Sequence, residues 1–218
     1  MARVRILIAD DHSVVRRGLR SLLESRPDWQ VVGDAATGRE AVEHARRLKP
    51  DIVILDMTMP ELNGLEATRQ ILKQAPHTEV LILTMHSSEE VAREVLRAGA
   101  RGFLLKSDAD NALLTAVETL SRHKPFLTPH VTELVLEKYV GEDAGLGANV
   151  HSADRLTPRE REVIQLVAEG KSNKEVASSL GVSTKTVEAH RANIMNKLDL
   201  HSVSDLVRYA VRNKIVQA

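Results

Sequence analysis

The chain contains no cysteine in 218 residues, so neither a disulfide scaffold nor a thiolate zinc site can exist in it. It also has no apolar run of bilayer length; stretches such as "VLIL" at 80–83 fall far short of the roughly 18 residues a spanning helix needs. The opening "MARVRILIADD" turns acidic at Asp10, unlike a secretory signal. These absences predict a cytoplasmic protein with no membrane association. Nor is there an excess of one charge sign: 30 Lys and Arg balance 30 Asp and Glu. With 43% hydrophobic and 28% charged residues, the composition is that of an ordinary globular chain, long enough for two small domains.

The balance is not local. Residues 1–124 carry 18 charges of each sign, residues 125–154 carry one basic against five acidic, and residues 155–218 carry 11 basic against seven acidic. A basic end behind an acidic segment suggests two modules, the second with an anionic partner.

Up to about residue 122, short aliphatic runs alternate with amphipathic stretches. The runs are "VRILIAD" (4–10), "WQVVGDA" (29–35), "DIVILD" (51–56), "EVLILT" (79–84) and "RGFLLK" (101–106). This spacing predicts βα units and a parallel sheet whose strands are buried on both faces. Val15, Leu19, Leu22 and Leu23 follow the stripe of a core-facing helix. Thr37 with Glu40, Asn63 with Glu66 and Ser87 with Glu90 have capping-box spacing, and Asp11 or Ser13 is a candidate cap for the first helix. Residues 1–122 are therefore expected to form a (βα)5, flavodoxin-like doubly wound α/β domain. Residues 123–154 read as a linker, with one short helix from about Pro129 and a glycine-bearing flexible tether at 141–154. Residues 155–218 carry no strand signal and four helical patterns, at about 158–169, 172–180, 184–198 and 202–213.

In an open α/β sheet, ligands sit outside the carboxyl ends of the strands. Asp10 and Asp11 follow the first strand, Asp56 ends the third, Thr84 the fourth, and Lys106 follows the fifth. Carboxylates brought together repel unless a cation joins them. Hard oxygen donors point to Mg²⁺. Asp56 is then a candidate nucleophile for a phosphoryl group, with Lys106 and Thr84 facing the phosphoryl oxygens.

The strings "ADDH", "ILDMTMPELNG", "LTMH" and "GFLLK" together resemble the receiver domain of two-component response regulators. The resemblance covers about residues 3–120. It implies that Asp56 accepts a phosphoryl group from a sensor histidine kinase. It implies that Asp11 and Asp56 hold Mg²⁺, with Asp10 acting through water and Thr58 lending its backbone carbonyl. Thr84 and Phe103 would form a switch pair. Two departures from the family pattern stand out: the aromatic position is Phe103, with no hydroxyl, and Ser107 rather than proline follows Lys106.

The far end reads "NKEVASSLGVSTKTVEAHRANIMNKL": a helix, a glycine turn and a second helix opened by Ser183, the pattern of a helix-turn-helix. Helical geometry puts Val187, Ile194 and Leu198 on one side, with His190 at the edge. Lys185, Glu188, Ala189, Ala192, Asn193 and Asn196 fall on the other, as candidates to face double-stranded DNA. Thr186 stands in the first turn of that helix, and Lys174, Lys185, His190, Arg191 and Lys197 suit phosphate contacts. The whole segment from Leu156 resembles the LuxR-type helix-turn-helix domain, which, joined to a receiver, marks the NarL/FixJ class of response regulators. The class implies a non-enzymatic transcription factor that forms homodimers on DNA when phosphorylated. Two alternatives remain open at this point. One is a DNA-binding regulator that uses the receiver for dimerisation without phosphate. The other is an aspartate-nucleophile phosphatase of the haloacid-dehalogenase type, although its second acid would fall at Thr58.

Overall fold

The structure is a computed structural model that describes residues 3–85, 88–128, 132 and 156–216. The residues fall into two compact units, one built on the βα elements and one on the carboxy-terminal helices.

In the first unit, β1 (Val4–Ala9), β2 (Trp29–Ala35), β3 (Ile52–Asp56), β4 (Glu79–Thr84), β5 (Gly102–Leu105) and β6 (Phe126–Leu127) form one sheet in the order β2-β1-β3-β4-β5-β6. Every pairing is parallel. The connecting helices are α1 (Ser13–Glu24), α2 (Gly38–Leu48), α3 (Gly64–Gln74), α4 (Glu89–Arg97) and α5 (Ala109–Ser121), with a single 3-10 turn over Lys106–Asp108. All five residues of β3 are buried, because helices cover both faces of a parallel sheet. Ile6, Ile8, Ile52, Ile54, Leu81 and Leu83 meet Leu19 and Leu23 of α1 and Leu113, Val117 and Leu120 of α5 in one apolar cluster. The alternate residues Leu7, Val53, Leu55, Ile82 and Phe103 point to the other face and are equally dry.

The strand positions agree with the sequence reading to within a residue at each end. The sixth strand was not expected. Phe126 and Leu127 pair with Gly102 and Phe103 and extend the sheet beyond β5. Two residues are too few to carry a periodicity. The start of α1 also differs from the expectation. Its N-cap is His12, with no side-chain cap bond, so neither Asp11 nor Ser13 caps it. Thr37 does cap α2, accepting from the Glu40 N–H at 3.2 Å, while Glu40 returns a bond to the Ala36 N–H at 2.7 Å. The N-cap of α4 is Ser88, and Ser87 lies outside the described residues.

The second unit consists of α6 (Pro158–Ala168), α7 (Asn173–Leu180), α8 (Thr184–Leu198) and α9 (Val203–Arg212). Thr157 with Glu160 and Ser172 with Glu175 form complete capping boxes, and Ser183 and Ser202 cap the other two helices. Gly181, at φ 64°, closes α7 in the left-handed region that glycine enters without a Cβ penalty. Val163, Ile164, Leu166, Val176, Val187, Ile194, Leu206 and Ala210 form the core. The expected linker helix and the tether at 141–154 lie outside the described residues, apart from Thr132. Among the described residues, no helix is long and apolar enough to cross a membrane.

Candidate functional site

Three strands deliver the charged groups to one edge of the sheet. Asp10 follows β1 and is wholly buried; Asp56 ends β3 and is 2% exposed; Lys106 follows β5. The Lys106 ammonium sits between the two acids, with Nζ 2.8 Å from Asp10 Oδ2 and 2.9 Å from Asp56 Oδ2. The other oxygen of Asp10 accepts the His12 backbone N–H at 2.8 Å, which fixes the turn into α1. Asp11 is more open and lies beside the His12 ring, with Oδ1 2.7 Å from Nδ1. Thr84 is buried at the end of β4, and its hydroxyl lies 3.9 Å from Met57 Sδ. Phe103 is fully buried on β5, and Thr58 is partly buried just beyond Asp56.

Burial dominates the electrostatics of Asp56. It disfavours the carboxylate and raises the pKa to about 6; Lys106 pulls it back down, while Asp10 and Asp11 add to the rise. Burial alone would lower the pKa of Lys106, but its bonds to Asp10 and Asp56 and their charges outweigh that, and the net shift is upward. Asp56 is therefore a carboxylate near neutral pH, held against its surroundings.

Met57 and Gly64 close the loop after Asp56. Met57 N–H donates to Leu83 O at 3.0 Å, and Gly64 N–H donates to Met57 O at 2.8 Å. A Cβ on Gly64 would lie 2.2 Å from Asp56 O, so only glycine allows α3 to start this close to the acid.

Two neighbours of the site escaped the sequence reading. Arg16, one turn into α1, donates through Nη1 to the backbone oxygens of Asp10 (2.6 Å) and Asp11 (3.3 Å). Its Nε donates to Asp34 on β2 at 3.2 Å. It clamps the acidic turn from behind. In sequence His12 is no more than the last residue of "ADDH", yet its ring stands among the acids. The signal for both was their place within six residues of Asp10.

The donor set fits a hard divalent cation. Single donor atoms from Asp10, Asp11, Asp56 and His12 lie within 4.8 Å of one another. Three carboxylates supply oxygens of the kind Mg²⁺ takes, and two of them are buried against one ammonium.

In the second unit, α8 presents two different faces. Val187 and Ile194 are fully buried, and His190 and Leu198 are half-buried. Lys185, Glu188, Ala189, Ala192, Asn193 and Asn196 are exposed, as is Lys174 on α7. Thr186 is engaged at the helix start, its N–H donating to Ser183 Oγ at 3.1 Å. Arg191 donates to Asn173 Oδ1 at 2.6 Å, tying α8 to α7. Lys197 has a structural partner: Nζ lies 2.8 Å from each oxygen of Glu160, a buried acid of α6. Burial would raise the pKa of Glu160, but the bonds from Lys197 and Thr157 prevail and lower it.

Residues 6–118 match the family model described as the response regulator receiver domain, and residues 154–210 match that of the bacterial regulatory proteins of the luxR family. The chain is 41% identical to the oxygen regulatory protein NreC of Staphylococcus carnosus, over 98% of this chain and 99% of the relative. Among solved structures, the response regulator RcsB of Salmonella typhimurium is similar at a TM-score of 0.63 and 27% identity, covering 98% of this chain and 99% of that one. A structure of two RcsB dimers bound to two parallel DNAs matches at 0.58 and 28%, over 95% of this chain and 97% of that one. The paired carboxylates and lysine at the edge of a flavodoxin-like sheet, followed by a LuxR-type helix-turn-helix unit, belong to a two-component response regulator that acts in transcription regulation.

Proposed function

We propose that Asp56 is the phosphoacceptor and that its modification promotes dimerisation and sequence-specific DNA binding. The observation that carries this reading is the position of Asp56: a buried carboxylate 2.9 Å from Lys106, at the mouth of the sheet. An Asp56 oxygen attacks the phosphorus of a phosphohistidine on a sensor kinase. The P–N bond breaks as the P–O bond forms, and the departing imidazole takes up a proton. Lys106 faces the negative oxygens of the transferred group, and Thr84 is the hydroxyl that turns toward them afterwards.

Asp11, Asp56 and the Thr58 carbonyl would hold Mg²⁺, with Asp10 acting through water. When bound, the ion neutralises charge on the phosphoryl oxygens. Arg16 and the His12 N–H keep the acidic turn in place without touching the phosphoryl group.

Phosphorylation replaces the single charge of the Asp56 carboxylate with the about −1.5 to −2 of a phosphoryl group, in a pocket already rich in acid. A shift of Thr84 toward it leaves space that Phe103 fills by packing, since it has no hydroxyl to bond. On α8, the exposed row Lys185, Glu188, Ala189, Ala192 and Asn193 reads the major groove. Lys174, Thr186, His190 and Arg191 flank it toward the phosphates. The DNA-bound RcsB dimers support a homodimer for this chain as well. The pairing partners are a sensor histidine kinase and double-stranded DNA.

The test is an intact-mass measurement after incubation with acetyl phosphate and Mg²⁺. A gain of one phosphoryl group, absent in Asp56→Ala, is expected. Equal labelling of that variant would overturn the assignment. For DNA, footprinting with Lys185→Ala and Asn193→Ala should show weakened protection; wild-type footprints from both would move the contact face elsewhere.

A further inference from the structure

We propose that residues 126–128 form a releasable latch on β5, docked in the unmodified receiver and let go when Asp56 is phosphorylated. The proposal rests on the reading of Thr84 and Phe103 as the pair that moves after phosphorylation.

Three observations lead there. The first is register. β6 has only two residues and is the first element of the chain beyond α5. Phe126 pairs with Gly102, and Leu127 pairs with Phe103. Residues paired in register put their side chains on the same face of a sheet. Phe126 accordingly packs against the cluster that holds Leu113, Val117 and Leu120 of α5. Leu127 falls on the other face, the one Phe103 occupies, and is only half-buried. When Phe103 fills the space that Thr84 leaves, it draws away from Leu127, which loses its in-register neighbour.

The second is the uneven hold on the segment. Its root is fixed. Phe126 N–H donates to Arg101 O at 2.9 Å, and Arg101 Nη2 donates to His123 O at 2.6 Å. Arg101 Nη1 and His123 Nδ1 lie 3.3 and 2.8 Å from the same oxygen of Glu79, a buried acid at the start of β4. The far end has no such clamp, and its register with β5 stops at Leu127.

The third is a hydroxyl. Thr128 follows β6 and is 7% exposed. Its carbonyl accepts the Thr132 N–H at 2.9 Å and the Thr132 hydroxyl at 3.0 Å. Its own hydroxyl is buried and finds no partner among the described residues. A buried hydroxyl without a hydrogen bond penalises the docked form, because undocking returns it to water. The latch is thus firm at its root, short in its pairing and penalised at its far end. The loss at Leu127 opens it, and the chain toward the second unit then leaves the receiver at the turn near His123 rather than at Thr128.

The experiment follows the Phe126 amide by NMR-resolved hydrogen exchange. It uses the full chain in Mg²⁺, with and without beryllofluoride as a phosphoryl mimic. The bond from this amide to Arg101 O is lost when the latch opens, so its exchange reports the opening. Exchange should quicken by about tenfold or more with beryllofluoride, while that of Ile54 on β3 does not quicken. The ring signals of Phe103 are recorded in the same samples. Thr128→Val keeps the shape of the side chain and removes the hydroxyl; it should slow Phe126 exchange about tenfold in the untreated protein. A Phe103 ring that responds to beryllofluoride beside an unchanged Phe126 amide overturns the latch and leaves the switch pair standing. If neither responds, the switch pair falls and the latch falls with it. Phe126 exchange in Thr128→Val as fast as in wild type overturns the role of the hydroxyl.

Discussion

Asp56→Asn should make the metal-free protein more stable, and the gain should depend on pH in a defined direction. The native carboxyl is raised from 3.8 to about 6, chiefly by burial. Between those values the folded state holds a proton that the unfolded chain has released. Stability therefore falls as pH rises through this window and levels off above it. A rise of roughly two units corresponds to about 3 kcal/mol, at about 1.4 kcal/mol per unit. The cost is fully present at pH 7.5. Asparagine keeps the shape of the side chain and removes the buried charge, and Lys106 retains Asp10 at 2.8 Å. The receiver unit of Asp56→Asn should thus gain up to about 3 kcal/mol at pH 7.5 in EDTA, read as a higher urea midpoint at unchanged slope. At pH 4 the gain should shrink to under about 1 kcal/mol, because the wild-type acid is then protonated in the folded state. Adding Mg²⁺ at pH 7.5 should narrow the difference by stabilising wild type. If Asp56→Asn is no more stable at pH 7.5, or its advantage is the same at pH 4, the assignment of burial as the dominant influence on Asp56 is wrong.

Gly64→Ala should destabilise the receiver by about 1–3 kcal/mol and slow labelling by acetyl phosphate, since the new Cβ must push Asp56 O from 2.2 Å; thermal unfolding and a labelling time course check this. Arg16→Ala should weaken Mg²⁺ binding by about tenfold in calorimetry with little change in far-UV circular dichroism, because the clamp on the Asp10 and Asp11 carbonyls is lost. Arg16→Lys should recover only part of that, since one ammonium cannot span both Asp34 and the turn. Lys197→Ala should cost the helical unit about 1 kcal/mol at pH 7, discounted because Lys197 is 38% exposed. The pKa of Glu160 is lowered in the fold, so this contribution is present above its ordinary 4.5 and is lost as pH falls through the lowered value. The two proteins should therefore converge in acid denaturation.

What the sequence disclosed follows from where its signals lie. β3 was legible because burial on both faces makes a run of consecutive aliphatics, and Asp56 stood out as the charge that ends it. The acids and the lysine could be brought together on paper because a parallel sheet gathers its carboxyl ends at one edge. Arg16 was not legible, because its partners are two backbone oxygens and an aspartate 18 residues away. Lys197 looked like a surface cation of a DNA-facing helix; its acceptor lies 37 residues earlier, inside a capping box. β6 is too short for a pattern, and what fixes it is the exposed edge of β5. Local capping was read well at α2, where Thr37 caps the helix, and poorly at α1 and α4, whose N-caps His12 and Ser88 make no side-chain cap bond.

The raised pKa of Asp56 comes chiefly from burial, and the crowding of acids at the sheet edge adds to it. The sheet forces three acids toward a single point, and one lysine cannot neutralise them. A cation would offset that surplus and lower the pKa of Asp56, so that the carboxylate able to attack phosphorus persists to lower pH. Phosphorylation then replaces the single charge of the Asp56 carboxylate with the about −1.5 to −2 of a phosphoryl group, so the phosphorylated pocket should hold its cation more tightly than the free one. By linkage, the same factor favours the phosphorylated state when the ion is present. The measurable form of that coupling is a tighter Mg²⁺ dissociation constant for protein treated with beryllofluoride, a stable phosphoryl mimic, than for untreated protein; equal constants would separate ion binding from the switch.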